Sequence, residues 1–319
     1  MQDHTPGRGE PIRARNRIAA SAVISGRRKH EPHDPDRKRP RAALIPYFMV
    51  EPLRIGPLAL QPFGVLSACG VWLASWLLAR TAGRSGLDVE PLDKLVGWAL
   101  VGGIVGAHLL HLGLYHPEEL RAGGPLQLLR VWDGLSSTGG VLGGLLASMI
   151  FLRIRGLPFA PYADAFALAL PTGWAVARLG CFSVHDHPGS LSSFFLAVDF
   201  PAGARHDLGL YDALVLASIA GIVHLLRRRH VLTGKLLPLV ALLYGASRFT
   251  LDFLRARDLA YVDARYLGLT PAQYACLALI GYGAWRLGSG AWRLRSRRRA
   301  ETAAGVDLGV TDRIEPGRC

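Results

Sequence analysis

The run Ala163-Asp-Ala-Phe-Ala-Leu-Ala-Leu-Pro-Thr-Gly-Trp-Ala-Val-Ala-Arg-Leu-Gly-Cys-Phe182 decides the class of this protein. Only Asp164 and Arg178 in it are charged. A helix of about 20 predominantly apolar residues crosses the hydrocarbon core of a bilayer, so this run is a candidate transmembrane helix. Similar runs recur along the chain. We therefore expect an all-α integral membrane protein with about seven transmembrane helices, near 58–79, 95–115, 135–152, 163–182, 208–226, 236–254 and 271–287.

The composition of the whole chain favours the same class. Of its 319 residues, 50% are hydrophobic and only 19% are charged, and the mean hydropathy is +0.24. A soluble domain usually has about a quarter of its residues charged. The four cysteines, Cys69, Cys181, Cys276 and Cys319, form no Cys-x-x-Cys motif and no Cys/His pair at zinc-ligand spacing. We therefore expect neither a disulfide scaffold nor a structural zinc centre.

The net charge of +13 arises from basic residues in alternate loops and at the chain ends. Short cytoplasmic loops of membrane proteins are enriched in Arg and Lys, so this asymmetry predicts orientation. One side of the predicted bundle carries fifteen such residues and the other side six. The fifteen are Arg80, Arg84, Lys94, Arg153, Arg155, Arg227, Arg228, Arg229, Lys235, Arg286, Arg293, Arg295, Arg297, Arg298 and Arg299; the six are Arg121, Arg130, Arg205, Arg255, Arg257 and Arg265. The amino end is therefore expected outside and the carboxyl end in the cytoplasm.

Three regions follow from this pattern. Residues 1–48 are predicted to be a disordered basic extension, because they are polar and rich in Arg, Pro and His. A basic extension conflicts with an outside amino end, so the alternative is that translation starts at Met49. Residues 49–290 form the predicted seven-helix membrane domain, and 291–319 form a basic cytoplasmic tail. Because the run 293–299 directly follows an apolar segment, it is typical of contact with anionic lipid, and we expect no nucleic-acid partner.

Charged residues within the apolar segments are the candidates for function, since an ionisable group at membrane depth is costly. Arg178 lies near the outer end of the fourth segment, where a guanidinium can hold a phosphate through two parallel hydrogen bonds. The structural alternatives are an ion pair with Asp164 or another carboxylate, or a side chain that reaches the membrane interface.

The end of the sixth segment contains a second group, Tyr244, Arg248, Asp252 and Arg255. Spacings of four, four and three place these residues along one helical face, where Asp252 can orient either arginine. The structural alternative is a salt-bridge ladder at a helix end. That alternative is less compatible with so apolar a helix.

Histidines provide two weaker candidates. His185, Asp186 and His187 follow the fourth segment, and this loop is predicted to transfer protons or contact a head group, with a hydrated turn as the alternative. Adjacent residues seldom converge on one metal ion and no third ligand is evident, so no metal site is expected. His108 and His111 lie three apart on the second segment and are interpreted mainly as packing residues.

Four motifs in order resemble the prolipoprotein diacylglyceryl transferase family over residues 50–287. They are Pro52-Leu-Arg-Ile-Gly-Pro-Leu-Ala-Leu-Gln-Pro-Phe63-Gly64, Trp132-Asp-Gly-Leu-Ser-Ser-Thr138-Gly139-Gly140, Ala177-Arg178-Leu-Gly-Cys-Phe182 and Tyr244-Gly-Ala-Ser-Arg248-Phe-Thr-Leu-Asp252-Phe-Leu-Arg255. The resemblance implies a multi-pass enzyme of the bacterial inner membrane that needs no cofactor. It implies transfer of diacylglyceryl from phosphatidylglycerol to the lipobox cysteine thiol of a secreted preprotein, with release of glycerol phosphate.

The resemblance also implies roles for individual residues. Arg178 matches a family arginine implicated in binding phosphatidylglycerol, and Arg248 matches one regarded as essential. Tyr244, Asp252 and Arg255 match their neighbours, with Asp252 at a position where glutamate is usual. By this resemblance Arg248 and Asp252 are expected in catalysis. The residues expected at the phospholipid head group are Arg178, Tyr244, Arg255, Gly139 and Gly140.

The departures from the family pattern concern the proton acceptor. Thr138 replaces the histidine of the family's His-Gly-Gly, and threonine cannot take a proton at neutral pH. Cys181 stands in place of asparagine, Phe63 in place of tyrosine, and Asp186 in place of glutamate. His185, His187 or Asp186 is then the expected base, unless no base is needed or the chain is a paralogue with another acceptor. The competing hypothesis is a diverged member that binds or handles anionic phospholipid without lipoprotein transfer.

Overall fold

The computed structural model describes residues 45–308, apart from 57, 132–133 and 260–261. The predicted extension up to residue 44, the beginning of the Trp132 motif and residues 309–319 of the predicted tail lie outside these described residues.

Helices account for most of the described chain. They are α1 Pro62–Arg84, α2 Leu92–Leu110, α3 Pro117–Gly123, α4 Ser137–Ile154, α5 Phe159–Val184, α6 Leu208–Arg228, α7 Leu236–Leu251 and α8 Pro271–Leu308. A π-helical turn His111–Tyr115 extends α2, and 3-10 turns follow at Pro125–Leu129 and Asp252–Leu254. The predicted helical membrane protein is confirmed at this level.

Six of the described helices are long and apolar enough to cross a membrane: Pro62–Arg84, Leu92–Tyr115, Ser137–Ile154, Phe159–Val184, Leu208–Arg228 and Leu236–Leu254. The predicted seventh segment, 271–287, forms the first part of α8 and packs against α7, but it is not among these six. The structure therefore supports a multi-pass membrane protein. The count of seven stays a prediction.

Short strands are a feature that the all-α prediction missed. Strands β2 Leu53–Ile55 and β3 Leu58–Leu60 form an antiparallel hairpin before α1, so the first helix begins at Pro62 rather than at 58. A second sheet has the order β1-β5-β6-β4, from β1 Ile45–Pro46, β4 Pro188–Leu191, β5 Val198–Phe200 and β6 Gly203–Asp207. β1 is parallel to β5 and the other pairs are antiparallel.

The strand β1 corrects one predicted boundary. Ile45 and Pro46 pair with β5, and the amide of Val50 donates to the carbonyl of Ser183 at the end of α5. Residues 45–48 were assigned to the disordered extension, whereas the structure orders them against the body of the protein. Residues 45–48 therefore contribute to the fold.

Glycines let two helix pairs pack at backbone contact. A Cβ added to Gly102 would lie 2.3 Å from Cβ of Ala147, and one added to Gly139 would lie 2.3 Å from the carbonyl oxygen of Gly106. Gly70 of α1 and Gly173 of α5 meet in the same way. The Gly-rich stretches thus join α2 to α4 and α1 to α5, as close packing of membrane helices requires.

One end of the bundle holds the charged and polar residues that are candidates for function. The amino ends of α4, α6 and α8 meet the carboxyl ends of α5 and α7 there, together with the β1-β5-β6-β4 sheet. The opposite end holds the loops with most of the basic residues, where Asp164 accepts hydrogen bonds from the amides of Gly234 and Leu236 and Arg227 contacts Ser85.

Candidate functional site

A buried carboxylate, Asp212 on the first turns of α6, lies between two arginines. Its Oδ2 is 3.4 Å from Nε of Arg178 on α5 and 3.0 Å from Nη1 of Arg248 on α7. Only 1% of Asp212, 3% of Arg178 and 4% of Arg248 is exposed. Burial removes the water that would otherwise screen the guanidinium groups of Arg178 and Arg248 from each other. The Asp212 carboxylate offsets the repulsion between these two positive charges and holds them together.

A second carboxylate extends the cluster. Asp252, which opens the 3-10 turn after α7, accepts a hydrogen bond from Nη2 of Arg248 at 3.2 Å, and its Oδ1 lies 2.9 Å from Nε of Arg255. The hydroxyl of Thr270 donates to Oδ2 of Asp252. Arg255 also pairs with Asp263. The cluster of Arg178, Asp212, Arg248, Asp252 and Arg255 is hereafter called the arginine cluster.

One guanidinium in this cluster keeps free hydrogen-bond donors. Nη1 of Arg178 donates to Sγ of Cys181 at 3.6 Å, while Nη2 is buried without a hydrogen-bond partner among the described residues. Leaving a buried donor unsatisfied costs about 1–3 kcal/mol. A ligand with acceptor oxygens would satisfy this donor.

A pocket opens beside Arg248, between α4, α5, α7 and α8. Its polar part consists of Arg248, Tyr244 and the first two residues of α4, Ser137 and Thr138. The remaining lining is apolar: Val141, Leu142, Trp174, Ala272, Ala275, Cys276 and Leu279. The amino terminus of a helix attracts anions through its free amides and its dipole. The pocket therefore suits a molecule with an anionic head and apolar chains.

The position expected to hold a base carries a hydrogen-bonded hydroxyl. Oγ1 of Thr138 lies 3.1 Å from the phenolic oxygen of Tyr115, and Tyr115 in turn lies within electrostatic range of Arg255. Thr138 can donate or accept a hydrogen bond here, but it cannot hold a second proton at neutral pH.

The structure separates His185 from its neighbours in sequence. Nδ1 of His185 lies 2.6 Å from Oδ2 of Asp207, and its ring stacks on Tyr47. Its ring also packs against Phe48, Phe182 and Phe200. Asp207 is the N-cap of α6, where its Oδ1 accepts from the amide of Leu210. These contacts place His185 in an aromatic cage rather than in the arginine cluster.

Asp186 and His187, unlike His185, lie near the arginine cluster. Nδ1 of His187 is hydrogen-bonded to Oδ1 of Asp186, and the ring is within electrostatic range of Arg178 and Arg255. Burial lowers the pKa of His187, the two arginines lower it further, and the hydrogen bond to Asp186 opposes them.

Two further predicted positions have packing roles in the structure. The buried ring of His108 contacts the carbonyls of Gly134 and Gln127, and His111 contacts Glu119, so both histidines attach the chain that precedes α4 to α2. Gly139 lies against the backbone of α2. The predicted contact of Gly139 and Gly140 with a head group stays a prediction.

The structure brings Arg178 of α5 to the same end of the bundle as Tyr244 and Arg248 of α7 and Asp252 and Arg255, which directly follow α7. Sequence reasoning missed Asp212. The signal was available, because Asp212 is a charged residue inside the apolar segment 208–226. The structural alternative for Arg178, an ion pair with Asp164 or another carboxylate, is confirmed in its second form, because Arg178 pairs with Asp212. Asp164 is not the partner, since it caps α7 at the opposite end.

Most of this chain is similar in sequence to known proteins. Residues 51–288 match the family model described as prolipoprotein diacylglyceryl transferase. Three similar proteins are each named phosphatidylglycerol-prolipoprotein diacylglyceryl transferase. That of Azotobacter vinelandii is 33% identical over 76% of this chain and 94% of its own length. That of Nitratidesulfovibrio vulgaris (strain Hildenborough) is 30% identical over 76% and 96%, and that of Rhizobium meliloti is 30% identical over 76% and 93%.

Proposed function

Because the chain belongs to the prolipoprotein diacylglyceryl transferase family, we propose that it moves diacylglyceryl from phosphatidylglycerol to a lipobox cysteine thiol of a prolipoprotein. The family that the motifs resembled is thereby confirmed. The observation that carries the proposal is the pocket in which Arg248 and the amino end of α4 face an apolar cavity.

The phosphate of the donor lipid binds at the polar part of the pocket. Arg248 and the amides that begin α4 supply positive potential there, and the free Nη2 of Arg178 supplies a further donor at the same cluster. The acyl chains extend along the apolar lining toward Leu142 and Leu279. A phospholipid with a compact anionic head matches a pocket that is polar at one part and apolar along the rest of its lining.

In the transfer step the thiolate sulfur attacks the diacylglyceryl carbon that carries the phosphate ester oxygen. A C–S bond forms and the C–O bond breaks, and its electron pair passes to the oxygen of departing glycerol phosphate. Charge therefore grows on the phosphate, where pre-oriented arginines stabilise it more than they stabilise the bound lipid. Asp212 and Asp252 hold Arg248 in place from two sides.

The thiol must lose its proton before it attacks. Thr138 cannot accept this proton, and His185 is occupied by Asp207 in its aromatic cage. Asp186 and His187 remain as the groups beside the arginine cluster that can promote deprotonation.

The orientation belongs to the same proposal. Seven spans with the amino end outside place the arginine cluster at the outer leaflet of the bacterial inner membrane, where a secreted preprotein arrives. The support is the excess of basic residues in the loops at the opposite end of the bundle.

The test is complementation with the full chain in bacterial cells depleted of their own transferase. We expect a lipobox reporter to gain the mass of one diacylglyceryl group. The double variant Arg178→Ala/Arg248→Ala should give no lipidated reporter, while Arg257→Ala, a change at an exposed arginine, should behave as the wild type. Undiminished transfer by the double variant would contradict the site. No product from inserted wild-type protein would favour the competing phospholipid-binding hypothesis.

A further inference from the structure

The turn that ends α5 folds the chain back on itself. His185 adopts φ +48°, and the amides of His185 and Asp186 donate to the carbonyls of Phe182 and Cys181 at 3.3 and 3.4 Å. This left-handed C-cap carries the residues after the helix back over its last turn. Asp186 and His187 are thereby brought beside Cys181, which the linear sequence does not reveal.

Cys181, Asp186 and His187 form a cluster of metal-ligating atoms. Their Sγ, carboxylate oxygen and ring nitrogen all lie within 4.8 Å of one another. We propose that these three side chains bind one thiophilic divalent metal ion, with Zn²⁺ as the best match, and leave a fourth position open for a thiol. Three protein ligands with one open position is the arrangement of catalytic zinc sites, and Cys, His and Asp are the ligand types that zinc prefers.

The charges around the cluster balance. A bound Cys181 thiolate and the Asp186 carboxylate together offset the charge of a divalent ion. The two nearby guanidinium groups, of Arg178 and Arg255, are each paired with a buried carboxylate, Asp212 and Asp252. Nδ1 of His187 lies 2.5 Å from Oδ1 of Asp186, so a ring nitrogen and a carboxylate oxygen already meet beside Cys181.

The backbone also holds the cluster in position. The carbonyl of His187 accepts a hydrogen bond from the amide of Leu208, and the next residue, Pro188, begins β4. Cys181 is buried, whereas the side chains of His187 and Asp186 are 28% and 37% exposed. The ligands are thus fixed on the protein side and accessible from outside the bundle.

The role of the open position, which rests on the proposed function, is to bind the thiol of the substrate. A thiol that coordinates zinc loses its proton to water, because the metal stabilises the thiolate. The lipobox cysteine would then be activated next to Arg178, without a proton acceptor at Thr138. The sulfur subsequently leaves the metal as it forms the C–S bond.

Cobalt(II) is the probe for the metal site, because its thiolate complexes absorb by charge transfer and report coordination directly. We expect purified full-length protein in lipid nanodiscs to bind one Co²⁺ per chain, with a thiolate charge-transfer band that Zn²⁺ abolishes by competition. Cys181→Ser and His187→Ala should each lose the band. Cys69→Ser, a change at an exposed cysteine on α1, should keep it.

Thermal unfolding without metal separates folding from binding. A variant that unfolds at the wild-type temperature yet lacks the band supports the proposal, and Asp186→Asn provides a second conservative change for the same comparison. The proposal is overturned by wild-type protein without a cobalt–thiolate band, or by a band that survives Cys181→Ser or His187→Ala.

A peptide arm tests the open position independently of catalysis. A lipobox peptide should shift the cobalt band, whereas the same peptide with serine in place of its cysteine should not. An unshifted band would overturn the thiol site. A shifted band in a protein that transfers no diacylglyceryl would instead contradict the proposed function and leave the metal site in place.

Discussion

Asp212 is the residue on which the arrangement of the arginine cluster depends. Its carboxylate contacts both Arg178 and Arg248, and only 1% of the residue is exposed. Removing one partner of a buried ion pair leaves a charge uncompensated and typically costs about 3–5 kcal/mol. The same change would let two guanidinium groups repel each other at the proposed phosphate site.

Asp212→Asn is therefore expected to lower both stability and activity. We expect a loss of about 3–5 kcal/mol in unfolding free energy and at least tenfold slower transfer, since the two arginines lose their common anchor. Thermal unfolding and lipidation of a reporter measure the two effects. Asp199→Asn, at an exposed carboxylate on β5, is the matched control and should change neither. Wild-type stability of Asp212→Asn would show that the ion pairs contribute nothing.

Thr138 allows a test in which only a small loss of activity is expected. Because its hydroxyl makes one neutral hydrogen bond to Tyr115, Thr138→Ala should cost about 1 kcal/mol, or roughly fivefold in transfer rate. Arg248→Ala should reduce the rate by at least about 100-fold, as the loss of a pre-oriented donor does. Initial rates of lipidation with both variants decide the question. An equal loss in the two variants would assign the essential chemistry to Thr138.

At the residue scale the sequence predicted which arginines matter, but not how they are held. Arg178 and Arg248 stand out as charges within apolar segments, whereas their shared partner lies 34 residues from one and 36 from the other. A pairing at that separation depends on how α5, α6 and α7 pack. Spacing along the chain could indicate only the contacts of Asp252 with Arg248 and Arg255.

At the scale of elements, the glycines of α2 and α4 determine how closely two spans approach. The position of Gly102 has no space for a methyl group, because an added Cβ would meet Ala147 at 2.3 Å and the carbonyl of Gly143 at 2.8 Å. Gly97, five residues earlier on the same helix, has nothing within 4 Å of an added Cβ. A glycine-to-alanine substitution is therefore expected to create a clash at position 102 but not at position 97.

Gly102→Ala should destabilise the protein and Gly97→Ala should not. Overpacking in a filled interface costs about 1–3 kcal/mol, so Gly102→Ala should lower the unfolding temperature, whereas Gly97→Ala should leave it unchanged or slightly raised. Thermal unfolding of the two variants in the same detergent makes the comparison. Equal unfolding temperatures would show that the α2–α4 interface is not closely packed in solution.

The helices were predictable from hydropathy, while the strands were not. An apolar run of about 20 residues is a strong local signal. Strands of two to five residues, such as β1 and β6, carry no such signal and form only because distant segments meet at the site end of the bundle. The aromatic cage around His185, to which Tyr47 and Phe48 contribute, was missed for the same reason.

At the scale of the whole molecule, the charge distribution predicts how the protein lies in the membrane. The end of the bundle opposite the arginine cluster carries the loops with Arg153, Arg155 and Arg227 to Arg229, and such loops remain in the cytoplasm.

A reporter fused after Arg299 should therefore be cytoplasmic. A reporter inserted after Ser192, in the segment that follows β4, should be external, because it lies at the end of the bundle that holds the arginine cluster. Paired enzyme reporters that are active on only one side of the membrane measure this directly. Both reporters on the same side, or the reverse assignment, would contradict the predicted orientation.

The central claim is that the arginine cluster holds phosphatidylglycerol while its diacylglyceryl group passes to a thiol. The most direct measurement combines purified full-length protein, phosphatidylglycerol nanodiscs and a lipobox peptide, and quantifies thioether product and released glycerol phosphate together. We predict equal amounts of the two products with wild-type protein, and neither product with Arg178→Ala/Arg248→Ala. Glycerol phosphate release without thioether, or equal product formation by the double variant, would contradict the account.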